Sequence, residues 1–125
     1  MNKLNLIFNK YSEKELEDNV NFFDEWNWEC ISFWQRLSEK FIEKYSDKIY
    51  WEWISECQIL SEDFIEKHSD KVRWDCISLS QKLSEEFIKK HFNKIDINYL
   101  MRNENLSKIL KNQIKKEIKL LKEII

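Results

Sequence analysis

Apolar residues recur along this chain in a fixed phrase. Residues 60–82 read LSEDFIEKHSDKVRWDCISLSQK, residues 37–59 read LSEKFIEKYSDKIYWEWISECQI, and residues 83–105 read LSEEFIKKHFNKIDINYLMRNEN, a spacing of 23 residues each time. A degenerate copy starts at Tyr11 and realigns on Trp28–Ser32 after a three-residue insertion, and a last fragment, LSKIL, starts at Leu106. Position 1 is Leu37, Leu60, Leu83 and Leu106, and position 2 is always Ser (Ser12, Ser38, Ser61, Ser84, Ser107). A Ser just ahead of a periodic apolar pattern is a helix N-cap. Leu37 with Ile42, Leu60 with Ile65 and Leu83 with Ile88 then pair as hydrophobic staples across it. Phe at position 5 and Tyr or His at position 9 share one face of this first helix. Asp47, Asp70 and Asn93 at position 11 are expected to cap a second helix. That helix carries Ile49, Val72 and Ile95, then Trp28, Trp51 and Trp74, then Ile31, Ile54 and Ile77.

Each copy thus predicts a pair of helices of about two turns each, too short to stand alone in water. Copies of this size are held by stacking on their neighbours. The pattern predicts an all-α fold, a small α-solenoid of stacked short helix pairs with a longer C-terminal capping helix. Residues 1–125 form a single helical-repeat domain: an N-terminal helical cap at 1–10, repeats at 11–36, 37–59, 60–82 and 83–105, and a C-terminal helix at 106–125. In that last helix Leu110, Ile114, Ile118, Leu121 and Ile125 fall on one stripe. The shared core is expected at Leu37, Phe41, Ile42, Ile49, Trp51 and Ile54, and at Leu60, Phe64, Ile65, Val72, Trp74 and Ile77 in the next copy.

Composition sharpens this picture. Gly and Pro are absent from the 125 residues, which disfavours the primed hairpin turns of a sheet protein. Charged residues are 35% and apolar residues 42% of the chain, the balance of a folded rather than a disordered sequence. No apolar run is long enough to span a bilayer, the N-terminus does not read as a secretory signal, and three Cys at irregular spacing do not form a disulfide framework. A cytoplasmic setting is expected. The net charge of −2 conceals an asymmetry: residues 1–105 carry −6, and residues 106–125 carry +4.

The candidate chemistry is spare. Cys30, Cys57, Cys76, His68 and His91 show no zinc-ligand spacing, and Cys30 and Cys76 share a repeat position with Trp53 and Tyr99, as packing groups do. No metal and no cofactor are expected. The carboxylates repeat with the frame, and neither a phosphate loop nor a nucleophile elbow is present, so no enzymatic activity is expected. An isoelectric point near 5.8 disfavours a general phosphate-binding surface. The Lys-rich last helix (Lys108, Lys111, Lys115, Lys116, Lys119, Lys122) keeps a nucleic-acid-associated role as the alternative.

Positions 14, 20 and 21 vary between copies while the frame does not. Repeat arrays bind partners through such positions. Trp is also enriched at interface hot spots, and Trp26, Trp34 and Trp53 lie outside the frame. Of these, Trp53 is expected in the core. Trp26, Trp34, Tyr50, Glu56 and Arg73 are therefore the expected partner-binding residues, on a face shared by the variable positions.

The unit LSE-x-F-I-x-K-(H/Y)-x-D-K-(V/I)-x-W-x-x-I-S, as it stands in residues 37–55 and 60–78, resembles a short helical repeat of uncharacterised phage, giant-virus and AT-rich bacterial proteins. The resemblance spans roughly residues 11–105 and carries no catalytic residue. A small acidic repeat protein of such a source looks like a phage counter-defence protein, for example an anti-CRISPR that inhibits an RNA-guided nuclease. The resemblance thus implies a non-enzymatic protein-binding module whose partner is a bacterial defence complex, its acidic body facing a basic nucleic-acid channel.

Overall fold

In the computed structural model, which describes residues 4–124, every regular element is a helix. They are α1 (Glu13–Asp18), a 3₁₀ turn (Val20–Phe22), α2 (Glu25–Trp34), α3 (Glu39–Lys44), α4 (Trp51–Cys57), α5 (Glu62–Lys67), α6 (Trp74–Ser80), α7 (Glu85–Lys90), α8 (Ile97–Met101) and α9 (Lys108–Ile124). They fall into two compact units, the first closing at Arg73 and the second opening at Trp74.

The expected N-caps are in place. The hydroxyls of Ser12, Ser38, Ser61 and Ser84 accept the amides of Glu15, Phe41, Phe64 and Phe87. The expected caps at position 11 are not. Residues 46–48 and 69–71 are turns, and α4 starts only at Trp51, behind Tyr50. The reason lies in the preceding copy. Buried Ser32 accepts the Tyr50 amide at 2.9 Å while its own hydroxyl donates to the Trp28 carbonyl at 2.8 Å. A neighbouring copy therefore satisfies the start of α4, and no local Asp is needed there. Ser55 serves the Arg73 amide in the first unit and Ser78 the Asp96 amide in the second, each at 3.0 Å.

Helix C-termini follow the same logic. In the first unit the Gln58 amide donates to the carbonyls of Ser32 (3.0 Å) and Gln35 (2.6 Å), the last turn of α2 and its cap, and its oxygen accepts the Leu37 amide at 2.9 Å. In the second unit Asn103 caps the end of α6 through the carbonyls of Ser78 and Gln81, both at 2.8 Å. This explains how the chain ends short helices without Gly. The usual left-handed C-terminal residue is replaced by extended backbone at Gln35 and Gln58, and no residue described has positive φ. Carboxylates tie the first helices of successive copies in the first unit. Glu13 accepts both the amide and the hydroxyl of Ser38, and Glu39 those of Ser61.

The apolar frame lies where its spacing put it. Leu37, Phe41, Ile42, Ile49 and Ile54 are buried, as are Leu60, Phe64, Ile65, Val72 and Ile77. A fully buried Ile or Leu contributes about 1.5–3 kcal/mol over leaving it exposed. Trp28 is buried, but Trp51 and Trp74 are only half-buried. In the first unit Trp51 packs on Phe64 and His68, with Lys71 over its open face. In the second unit Trp74 does the same with Phe87, His91 and Lys94.

The ends depart from expectation. Residues 4–10 hold a single turn at 6–8 rather than a helix, although Leu6 is buried; residues 1–3 lie outside the described part. In the second unit Ile114 of α9 is buried and Leu110 and Ile118 are half-buried, with Leu110 and Ile114 beside Ile88 and Phe92. Leu121 is exposed, and Ile125 lies outside the described residues.

Candidate partner-binding surface

The degenerate first copy builds the site. The connector from α1 to α2 is as long as that from α3 to α4, so the three extra residues of this copy lengthen α2, which begins at Glu25 behind Asp24; the Asp24 carboxylate and the Asn27 side chain form a reciprocal capping box. At ten residues, α2 is longer than the seven of α4. The extra turn gives α2 a second apolar stripe. Trp28, Ile31, Ser32 and Gln35 face inward and are buried, while Trp26, Glu29, Cys30, Phe33 and Trp34 follow the i, i+3, i+4, i+7, i+8 spacing of another face.

Trp53 of α4 joins that face. Its ring meets Phe33 edge-on at 4.9 Å between centroids, and Phe33 meets Trp34 at 4.6 Å. The Trp53 indole N–H donates to Glu29 Oε1 at 3.4 Å. Together Trp26, Glu29, Cys30, Phe33, Trp34 and Trp53 line a shallow depression of about 230 Å³. Trp26 is 61% and Trp34 42% exposed, large apolar rings left in water on one small patch. Trp34 also borders a wider groove with Lys10, Arg36, Cys57 and Ile59, and Lys10 Nζ donates to the Trp34 carbonyl.

The electrostatics around α2 are acidic. Burial pushes the Cys30 thiol up from its ordinary value, with Glu29 and Asp24 adding to it, so this cysteine stays protonated at neutral pH. Burial likewise raises the Tyr50 phenol, helped by Glu25 and Glu29.

Of the residues expected to bind a partner, Trp26 and Trp34 come together on the depression. Tyr50 lies elsewhere, half-buried at the start of α4 and lining a groove with Phe23, Asp24 and Trp28. Glu56 is exposed, and Arg73 pairs with Glu52 at 3.4 Å. Position 14 stands at the start of the second helix and positions 20 and 21 at its end, which separates Tyr50 from Trp34. Phe33 and Glu29 join the patch although neither was expected to bind, and Trp53 lies half-buried on it rather than in the core. The helical spacing counted from Trp26 was the signal that marks the residues of α2.

His68 is packed between Trp51 and Phe64 and bonded to Glu43 at 3.1 Å. No group of three or more His, Cys, Asp or Glu among the described residues is placed to hold a metal ion. No described helix is long and apolar enough to cross a membrane.

Fold and surface together define an all-helical protein built on a 23-residue unit, with an exposed aromatic patch where α2 of the first copy meets α4 of the next. Comparison with protein-family models, with curated proteins and with solved structures gives no match.

Proposed function

We propose that the chain is a non-enzymatic protein-binding module, a solenoid of stacked helix pairs whose docking surface is the aromatic patch of α2 and α4. The observation that carries this reading is the cluster of Trp26, Phe33, Trp34 and Trp53, in which Trp26 and Trp34 are exposed. Exposed Trp clusters are costly to keep unless a partner covers them, and Trp leads the residues found at binding hot spots. The net −6 of residues 1–105 favours a basic partner surface, such as the nucleic-acid channel of a defence nuclease that an anti-CRISPR inhibitor would occupy.

The test is affinity capture from the native source with quantitative mass spectrometry, comparing wild type with a Trp26→Ala/Trp34→Ala variant. A protein retained by wild type and lost by the variant supports the reading. A protein retained equally by both places the docking surface elsewhere.

One observation favours a second reading. Lys108, Lys115, Lys116, Lys119 and Lys122 are all exposed on α9, which suits contact with phosphates. Salt-sensitive RNA or DNA retention that persists in the Trp variant and disappears when these lysines become Gln would favour that role.

A further inference from the structure

We propose that the depression between α2 and α4 receives an arginine side chain from a basic segment of the partner. This rests on the reading of that face as a docking surface and names what it recognises.

Three observations converge. The first is composition. Four aromatic rings line the depression, and Glu29 is the one charged residue among the six lining it. An aromatic wall with one carboxylate fits an organic cation, which gains both ring-face attraction and an ion pair.

The second is a contrast within the molecule. Four aromatic rings elsewhere in the chain carry one of its own cations. Lys44 covers Tyr45, Lys71 covers Trp51, Lys94 covers Trp74 and Arg102 covers Tyr99, at 4.7–5.9 Å from the ring centroids. Among the described residues no lysine or arginine lies over Trp26, Phe33, Trp34 or Trp53. Phe8, Phe22 and Phe92 are exposed as well, so what sets the patch apart is that its uncovered rings are gathered around one carboxylate.

The third is the carboxylate itself. Glu29 Oε1 takes the Trp53 indole N–H at 3.4 Å, which holds the side chain on the wall of the depression. Its other oxygen accepts no hydrogen bond among the described residues and is open to a guest. Glu25, one turn earlier on α2, adds to the negative field felt at Tyr50. Arginine fits better than lysine. The depression is shallow, and a flat, weakly hydrated guanidinium can stack on indole while donating to Glu29, whereas a strongly hydrated ammonium loses more on leaving water.

The experiment titrates the full-length chain by calorimetry, at physiological salt, with an arginine-rich peptide, its citrulline counterpart of the same shape without charge, and a lysine-rich peptide. The arginine peptide is expected to bind at least about tenfold tighter than the citrulline peptide, and severalfold tighter than the lysine peptide. Trp26→Ala/Trp34→Ala, which leaves the charge of the protein unchanged, is expected to weaken the arginine peptide about tenfold. The single Trp26→Ala and Glu29→Gln variants should each weaken it severalfold, and either serves if the double variant does not fold. Equal binding of the arginine peptide to wild type and to the Trp variants overturns the proposal, because the attraction then comes from the acidic body at large. A preference for lysine, or no binding by any cationic peptide, overturns it as well. In those cases loss of a captured partner in the Trp26→Ala/Trp34→Ala variant would leave the docking surface standing, with a different guest.

Discussion

Gln58→Leu asks how much of the stability resides in hydrogen bonds between copies. The side chain is buried and about the size of the leucine that replaces it, so little packing volume changes. The substitution strips partners from the carbonyls of Ser32 and Gln35 and from the Leu37 amide. Each buried backbone group left without a partner costs about 1–3 kcal/mol. The gain from burying an apolar side chain offsets about 1 kcal/mol of this. The net loss is then roughly 2–8 kcal/mol, set against a total stability of about 5–15 kcal/mol for a domain. Urea unfolding followed by far-UV circular dichroism measures it, with Glu56→Ala on the exposed side of the same helix as control, expected within about 0.5 kcal/mol of wild type. A Gln58→Leu midpoint within that same margin, at an unchanged slope, would refute the argument. It would mean that water or a small backbone shift satisfies these groups as well as the amide does.

Trp51→Ala removes a ring packed on Phe64 and His68 and is expected to cost about 3 kcal/mol in the same assay. Glu43 is held below its ordinary value near 4.5, first by the hydrogen bond from Lys67 and then by that from His68. A carboxylate depressed on folding contributes stability that is present above its unfolded value and is lost as pH falls through the folded one. Glu43→Gln should therefore flatten the fall in melting temperature below about pH 4.5 while leaving the slope at higher acidic pH little changed; identical acid limbs for variant and wild type would count against the pairing.

The frame was legible because it repeats. Leu-Ser at positions 1 and 2, Phe-Ile at 5 and 6, and Ile or Leu at 18 take the same role in every full copy, so spacing alone assigned their faces. Two things escaped for physical reasons. Asp47 and Asp70 look like helix caps, but the cap of α4 comes from Ser32, more than a dozen residues upstream, and local sequence carries no sign of a donor–acceptor pair formed between copies. The variable positions were expected to share a face, yet position 14 lies at the start of a helix that positions 20 and 21 end, so Tyr50 and Trp34 open on different surfaces. Asn103, at variable position 21, is buried because it does in the second unit what Gln58 does in the first. Trp26 and Trp34 could be singled out from sequence. Their partner Trp53 comes from the next helix pair, and only the packing of α4 beside α2 joins them.

The hydrogen bonds that close each helix end give the chain a rule for changing its length. The contacts that residues 37–59 make backward, at Glu13 and Ser32, are matched in kind by those they make forward at Glu39 and Ser55. Duplicating that segment in tandem would present the new Ser hydroxyls, their amide partners and the new Glu carboxylate with counterparts of the right type. Inserting any other number of residues would strand polar groups in the interior. Gain or loss of a whole copy thus keeps these groups paired, and a slip of one or two residues does not. The three additional residues of the first copy are accommodated at the start of α2, which they lengthen by about one turn while its buried face keeps its register on Trp28 and Ile31.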